Sequence, residues 1–346
     1  MAEATYQMNQ DYFFARKWSE DSLRKYQLEQ VKKTLLYVKE KSPFYQEHLA
    51  GISNTFIDNM TFESFAEIPF TDKATLRGEM LNILSKPVSR CCFFYETTGT
   101  TGKATPCPRD YVDTIYNNMA VTSCLTTILK DEPGKEHIVG VCGPTELHSF
   151  GDTLGDVCKN MGLAMAKFWA YSPVVGIKKS IQILRDLKIT VMMCTPGMIL
   201  TLAKVARQSG YDLKRDFSLE IIMLTGELSS PAMIQNIEEL WDVEAYNFLY
   251  GSQEALVLGT TVKNKNIHTF PINFYYEIID PVTLLPVPMD AGKAEGELVV
   301  TMLFQGSKPW GRYRTGDFSR SRAAGGADVS PSPPIEIRGG GWDGVV

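Results

Sequence analysis

The chain has 346 residues, of which 44% are hydrophobic and 22% charged, and its net charge is −5. That length exceeds one small core and predicts two or three packed subdomains of a globular protein. The acidic balance argues against nucleic acid as a partner, no apolar run of about 18 residues is present to cross a membrane, and residues 1–20 lack the apolar stretch of a secretory signal, so a cytoplasmic protein is expected.

Residues 1–90 read as a helical segment packing on the core. Leu23, Leu28, Val31, Leu35, Leu36 and Val38 recur at roughly helical spacing, Pro43 ends that helix, and Thr71 and Asp72 precede another. From 91 to 270 short apolar runs (137–142, 189–194, 219–224) alternate with helix-like stretches at 176–187 and 197–208, which predicts an α/β region with a mainly parallel sheet. Residues 271–320 change character. Segments 276–280 and 296–301 look like strands between Pro and Gly, and they predict a small β-rich subdomain. Residues 321–346 open with an Ala/Gly/Ser/Pro-rich stretch and read as a linker. The seven cysteines are odd in number and include no Cys-x-x-Cys pair, which fits reduced, mostly buried thiols, and the four histidines show no metal-ligand spacing.

The most informative stretch is Thr97-Thr98-Gly99-Thr100-Thr101-Gly102-Lys103, after the apolar run 92–95. The glycines let backbone turn tightly and approach a ligand. The threonine hydroxyls and Lys103 offer donors and charge to phosphate oxygens, and successive backbone N–H groups make an anion nest. It is not a P-loop of the Gly-x-x-x-x-Gly-Lys-Ser/Thr kind, since Thr97 and Ala104 stand at the wrong places. Gly226, in Thr225-Gly226-Glu227-Leu228, follows an apolar run. A glycine there marks either a ligand-binding strand end or a plain strand-to-helix turn.

These segments together resemble the adenylate-forming enzymes: acyl-CoA synthetases, peptide-synthetase adenylation domains and luciferases. The loop is similar to their Ser/Thr-Gly-Thr-Thr-Gly-Lys-Pro motif. Val38-Lys39-Glu40-Lys41-Ser42-Pro43-Phe44-Tyr45 and Ile68-Pro69-Phe70-Thr71-Asp72-Lys73-Ala74-Thr75-Leu76-Arg77 look like the phenylacetate–CoA ligase branch. Tyr313-Arg314-Thr315-Gly316-Asp317 matches the family's motif unchanged, and Tyr250-Gly251-Ser252-Gln253-Glu254 matches with Gln253 in place of a hydroxyl residue. The motifs follow the family's order from about residue 30 to the end of the chain.

The resemblance implies the α/β large N-terminal domain of an adenylate-forming enzyme, with ATP and Mg2+ as cofactors. It implies that Thr97, Thr98, Gly99, Thr100, Thr101, Gly102 and Lys103 hold phosphates, and that Gly226, Glu227 and Leu228 border the adenine. Tyr250, Gly251 and Ser252 would pack on that ring, Glu254 would hold the magnesium ion, and Asp317 would accept bonds from the ribose hydroxyls. His148, in Glu146-Leu147-His148-Ser149-Phe150-Gly151, would border the substrate carboxylate, or be structural. Phe168, Trp169 and Tyr171, with Tyr246, Asn247 and Phe248, form either an aromatic acyl pocket or plain core.

Where the family continues through a Gly-Arg-x-Asp hinge into a mobile C-terminal domain, this chain has Arg338-Gly339-Gly340-Gly341-Trp342-Asp343 and stops at Val346. The expectation is a degraded hinge with the C-terminal domain absent. A truncated adenylating protein of phenazine-antibiotic biosynthesis belongs to this branch, and similarity to it implies a polycyclic aromatic acid. The expected function is adenylation of a carboxylic acid, the adenylate passing to a reductase, an amine or a carrier thiol. Two alternatives stay open: an acyl-CoA ligase whose C-terminal domain is cut away or supplied by another chain, and a nucleotide- or acyl-binding protein with little catalysis.

Overall fold

The computed structural model describes residues 1–97, 104–227, 229–288, 294–321 and the backbone of 335–340. These form two compact units: Met1–Ala120 with Ser252–Leu258 and His268–Val346, and Val121–Gly251 with Gly259–Ile267.

The first unit opens on helices whose starts are written in the sequence. α1 (Ala2–Phe13) precedes α2 (Glu20–Lys41), which is capped by Ser19 and buries Leu23, Val31, Leu35 and Val38 on one stripe. Ser42 ends α2 and its hydroxyl caps α3 (Pro43–His48), so Pro43 both stops one helix and begins the next. α4 (Asn54–Asn59) and α5 (Lys73–Glu79) are capped by Ser53 and Asp72, the latter accepting from Thr75 N at 2.7 Å. α6 (Tyr111–Leu129) follows and runs into the second unit.

The second unit alternates β1 (Ile138–Cys142), α7 (Ser149–Asn160), β2 (Ala164–Phe168), α8 (Gly176–Asp186), β3 (Val191–Cys194), α9 (Pro196–Gln208), β4 (Ile221–Leu224), α10 (Pro231–Trp241) and β5 (Glu244–Asn247). All pairings are parallel, in the order β2-β1-β3-β4-β5. Every residue of β3 and β4 is buried, as expected for strands covered on both faces, and this is why they read as unbroken apolar runs. Short strands β6 (Leu249–Ser252), β7 (Leu256–Thr261) and β8 (Ile267–Thr269) come next.

Back in the first unit, β9 (Phe274–Ile279), β10 (Pro286–Val287), β11 (Glu295–Met302), β12 (Tyr313–Ser321) and β13 (Ile335–Gly340) form an antiparallel sheet in the order β10-β9-β11-β12-β13. The α/β fold with a parallel sheet agrees with the expected class. The chain-order division at 90, 270 and 320 differs from the two units, because helical residues 1–90 and the β-rich stretch share one unit. Within the stretch expected as linker, residues 335–340 pair with β12 as a strand.

The weld between helices and sheet is Arg312, 1% exposed. Its guanidinium donates to both oxygens of Glu277 on β9, at 3.2 and 3.0 Å, and to the carbonyls of Ala66 and Ile68 at 2.7 and 2.8 Å. Phe70 stacks on it at 4.0 Å. Thr71 N donates to Arg312 O, Arg314 N donates to Thr71 O, and Tyr45 Oη accepts from Gly311 N at 3.0 Å. Burial pushes the Glu277 carboxyl upward and the Arg312 charge opposes that shift. Removing one partner of a buried pair strands the other charge. Arg312→Met should therefore cost about 3–5 kcal/mol in urea unfolding, and Arg312→Met with Glu277→Leu should recover much of it. A double variant no more stable than the single one would show that the pair is not the source of the loss.

Candidate active site

The residues singled out in the sequence fall into two groups, one in each unit. In the second unit they gather at the carboxyl ends of the parallel strands. Cys142 and Phe168 are register partners at the ends of β1 and β2, as are Cys194 and Leu224 on β3 and β4, and Leu224 and Asn247 on β4 and β5. β1 has neighbours on both sides whose connections run in opposite directions, so its carboxyl end is the topological switch point where open α/β sheets bind ligands. His148 follows that end as the cap of α7, its Nδ1 accepting from Phe150 N at 3.1 Å. Gly226 follows β4 at φ +84°, a conformation that suits glycine, and the next residue, Glu227, accepts from Gly197 N at 2.9 Å, at the start of α9. Tyr250 and Gly251 lie on β6.

The aromatic candidates divide. Phe168 is 4% exposed and belongs to the hydrophobic core, the plainer of the two readings the sequence left open. Tyr246 and Phe248 are buried as well, and Lys265 Nζ lies 5.2 Å from the Tyr246 ring centroid. Asn247 and Trp169 are half-buried, and Trp169 meets the exposed Tyr171 edge-on at 5.1 Å.

In the first unit, segments 92–97 and 105–109 run antiparallel through bridges Phe93–Arg109 and Glu96–Pro106. Thr97 closes the base of the loop: its N–H donates to Thr105 O and its hydroxyl accepts from Thr105 N, both at 3.0 Å. Thr98, Gly99, Thr100, Thr101, Gly102, Lys103 and Leu228 lie outside the described residues. Arg109, 5% exposed, lies over the Tyr95 ring at 5.3 Å and reaches Gln253 Oε1 at 3.5 Å, so the loop base meets the segment carrying Glu254.

Glu254 is 3% exposed. Its carbonyl accepts from Trp310 Nε1 at 2.9 Å, while its Oε1 has no hydrogen-bond partner and forms an ion pair with Lys73 Nζ at 3.3 Å. Trp310 stacks on Tyr313 with centroids 4.6 Å apart, which joins Glu254 to the start of β12. Further along β12, Arg314 donates to both Glu297 oxygens, through Nε at 3.2 and 3.0 Å and Nη2 at 2.6 Å. Gly316, at φ +76°, donates its N–H to Glu297 at 3.2 Å, and Thr315 Oγ1 accepts from Asp317 N at 3.1 Å. Ser252 Oγ accepts from Ala255 N at 3.1 Å.

Lys73, Arg109, Glu297, Lys308 and Trp310 were not picked out from the sequence as site residues. Lys73 lay within a recognised motif, while Glu297 and Lys308 stand among Gly, Ser and other charged residues and carry no local signal.

The fold has counterparts among solved structures. A TM-score of 0.80 relates the fold to that of 2-hydroxyisobutyryl-CoA ligase in its postadenylation state, at 21% identity over 96% of this chain and 70% of that one. A long-chain-fatty-acid-CoA ligase from Archaeoglobus fulgidus is more distant, with a TM-score of 0.53 at 14% identity, over 72% of this chain and 52% of that one. Phenylacetate-coenzyme A ligase of Pseudomonas putida is 28% identical over 313 residues, 87% of this chain and 67% of the relative, and that of Thermus thermophilus is 27% identical over 317 residues, 86% and 66%. The chain thus spans about two thirds of the length of these relatives. It matches no protein-family model. The chain is similar in sequence to phenylacetate-coenzyme A ligases and shares the fold of an acyl-CoA ligase, which supports a ligase-type enzyme of the adenylate-forming kind.

Glu297→Ala would leave Arg314 and Gly316 N without their acceptor, at a cost of about 1–3 kcal/mol. Hydrogen exchange at the Gly316 amide should accelerate far more than at the β3 and β4 amides. Uniform acceleration across the chain would mean general destabilisation instead.

Proposed function

We propose that this protein binds ATP and activates a small carboxylic acid as its acyl-adenylate. The observation that carries this reading is Glu254: a buried carboxylate with one oxygen lacking a hydrogen-bond partner, joined through Trp310 to β12 and through Gln253 and Arg109 to the base of the Thr/Gly loop. A hard divalent cation fits such an oxygen, because it takes carboxylate and phosphate oxygens as ligands, and Mg2+ when bound would neutralise charge on the triphosphate.

In this reading the substrate carboxylate attacks the α-phosphorus of ATP, the bond to the bridging oxygen breaks, and pyrophosphate leaves. Thr97, Thr98, Gly99, Thr100, Thr101, Gly102 and Lys103 cradle the leaving phosphates. Asp317 accepts bonds from the ribose hydroxyls on a turn that Glu297 supports. Gly226, Glu227, Leu228, Tyr250, Gly251 and Ser252 border the adenine, and His148 donates to the acid. Positioning and fixed charge do most of the work in such a step. Asn247 and the half-buried Trp169, at the carboxyl edge of the sheet, favour an aromatic acid, with the buried Phe168, Tyr246 and Phe248 backing that wall. A place in secondary metabolism, with a polycyclic acid of the phenazine kind handed to a reductase, amine or thiol, rests on the sequence resemblance.

A second reading, ligation of the acid to CoA, is favoured by the relatives that bear the name phenylacetate-coenzyme A ligase.

Acid-dependent exchange of labelled pyrophosphate into ATP tests the first reading, and acyl-CoA formation in the presence of CoA tests the second. Glu254→Gln should abolish the exchange while acid binding persists. Asp317→Asn should weaken AMP but not the acid, and Lys103→Ala should weaken ATP by about 1.5–3 kcal/mol. Absence of exchange with every member of a panel of aromatic acids would overturn adenylation.

A further inference from the structure

We propose that Lys308 is a specificity-determining residue of this site: a buried cation that makes Glu254 accept a divalent metal only as its complex with a nucleotide. The assignment rests on the nucleotide-binding reading above.

Lys308 is 5% exposed, and its ammonium finds no oxygen or nitrogen acceptor among the described residues. It lies against the Cys107 thiol and 5.0 Å from the centroid of the Trp310 ring. A buried ammonium without an acceptor is costly, and a cation–π contact offsets only part of that cost. The fold nevertheless places it on the wall of a small cavity that it shares with Arg109, Gln253 and Glu254. Its distance from Glu254 is fixed by the chain, because Trp310, two residues on, donates its indole N–H to the Glu254 carbonyl.

The cavity wall carries two acids, Asp113 and Glu254, and two bases, Arg109 and Lys308, but the two acids are held differently. Asp113, also on its wall, is turned to other partners, accepting from Ser307 Oγ at 2.6 Å, Ser307 N at 3.0 Å and Asp110 N at 2.9 Å. Asp110 pairs with Lys86. That leaves Glu254 facing Lys308, Arg109 and, at 3.3 Å, Lys73. Lys73 is half-exposed, so solvent screens it and it is free to swing away. Lys308 and Arg109 are held in place and little screened. A bare divalent cation approaching Glu254 meets the like charge of Lys308, Arg109 and Lys73. A polyphosphate carrying that cation reverses the sign, since its oxygens gain from the cations that repel the metal alone.

The test uses the full chain with Mn2+ as the probe. Bare Mn2+ binding is read by electron paramagnetic resonance and Mn2+–ATP binding by calorimetry. Lys308→Met, of similar length and uncharged, should bind bare Mn2+ about tenfold more tightly than wild type and Mn2+–ATP about tenfold more weakly. Lys308→Arg should restore both values. If Lys308→Met fails to fold, Lys308→Gln serves the same purpose, since it keeps polar atoms without charge. Two affinities that fall together, or that stay within about twofold of wild type, overturn the assignment, because loss of packing cannot move them in opposite directions. Wild-type protein that binds no Mn2+–ATP overturns the nucleotide reading as well. Wild-type binding with an unaltered Lys308 variant overturns the role of Lys308 alone.

Discussion

The first unit depends on one buried guanidinium. Arg312 collects Glu277 from β9, the carbonyls of Ala66 and Ile68, and the ring of Phe70, and its own N–H donates to Thr301 Oγ1 on β11 at 2.9 Å. A planar group with five donors in a fixed fork meets these partners at once, which an ammonium does not. The consequence reaches past stability. Arg312 is the residue before β12, so fixing it fixes the strand that carries Tyr313, Arg314 and Asp317, and it holds Trp310 two residues upstream against Glu254. The segment 68–73 is thereby tied to β12, and with it Lys73 beside Glu254.

Charge is handled differently in the two parts of this unit. Arg312 and Arg314 each meet a carboxylate through two or more hydrogen bonds, so their burial is compensated. Around Glu254 the compensation is incomplete: one carboxylate oxygen and the Lys308 ammonium lack hydrogen-bond partners, although they line the same cavity. In the function proposed above, a bound ligand would satisfy these groups. Burial also pulls the Arg109 guanidinium below its usual range, as expected for a cation held away from water.

The second unit is a more ordinary frame. Its parallel sheet needs both faces covered, so β3 and β4 are apolar throughout. Thr195 and Ser230, each before a proline, cap α9 and α10 and start those helices where the chain leaves the sheet. The loops after β1, β3 and β4 therefore leave the sheet at one edge, which is where His148, Gly197 and Glu227 stand.

Local rules were enough to read much of this from the sequence. The period of Leu23, Val31, Leu35 and Val38, the helix end at Pro43 and the helix start after Asp72, and the apolar runs of β1, β3 and β4 depend on neighbours a few residues away, so the string of residues contains them. Gly226 stood out as a turn after an apolar run and Gly316 only as part of a family motif, and both take positive φ in the structure. What the tertiary structure decided involves partners far apart in the chain. Arg312 and Glu277 are 35 positions apart, Trp310 and Glu254 are 56 apart, and Arg312 and Ile68 are 244 apart. No periodicity encodes such pairs, because their energy comes from excluding water around both members, and that happens only once the sheet and helices have closed on them. The same closure put Phe168 in the core and joined residues 1–90 to the β-rich strands. The sequence named the motifs in order, and the fold chose the charges that surround Glu254.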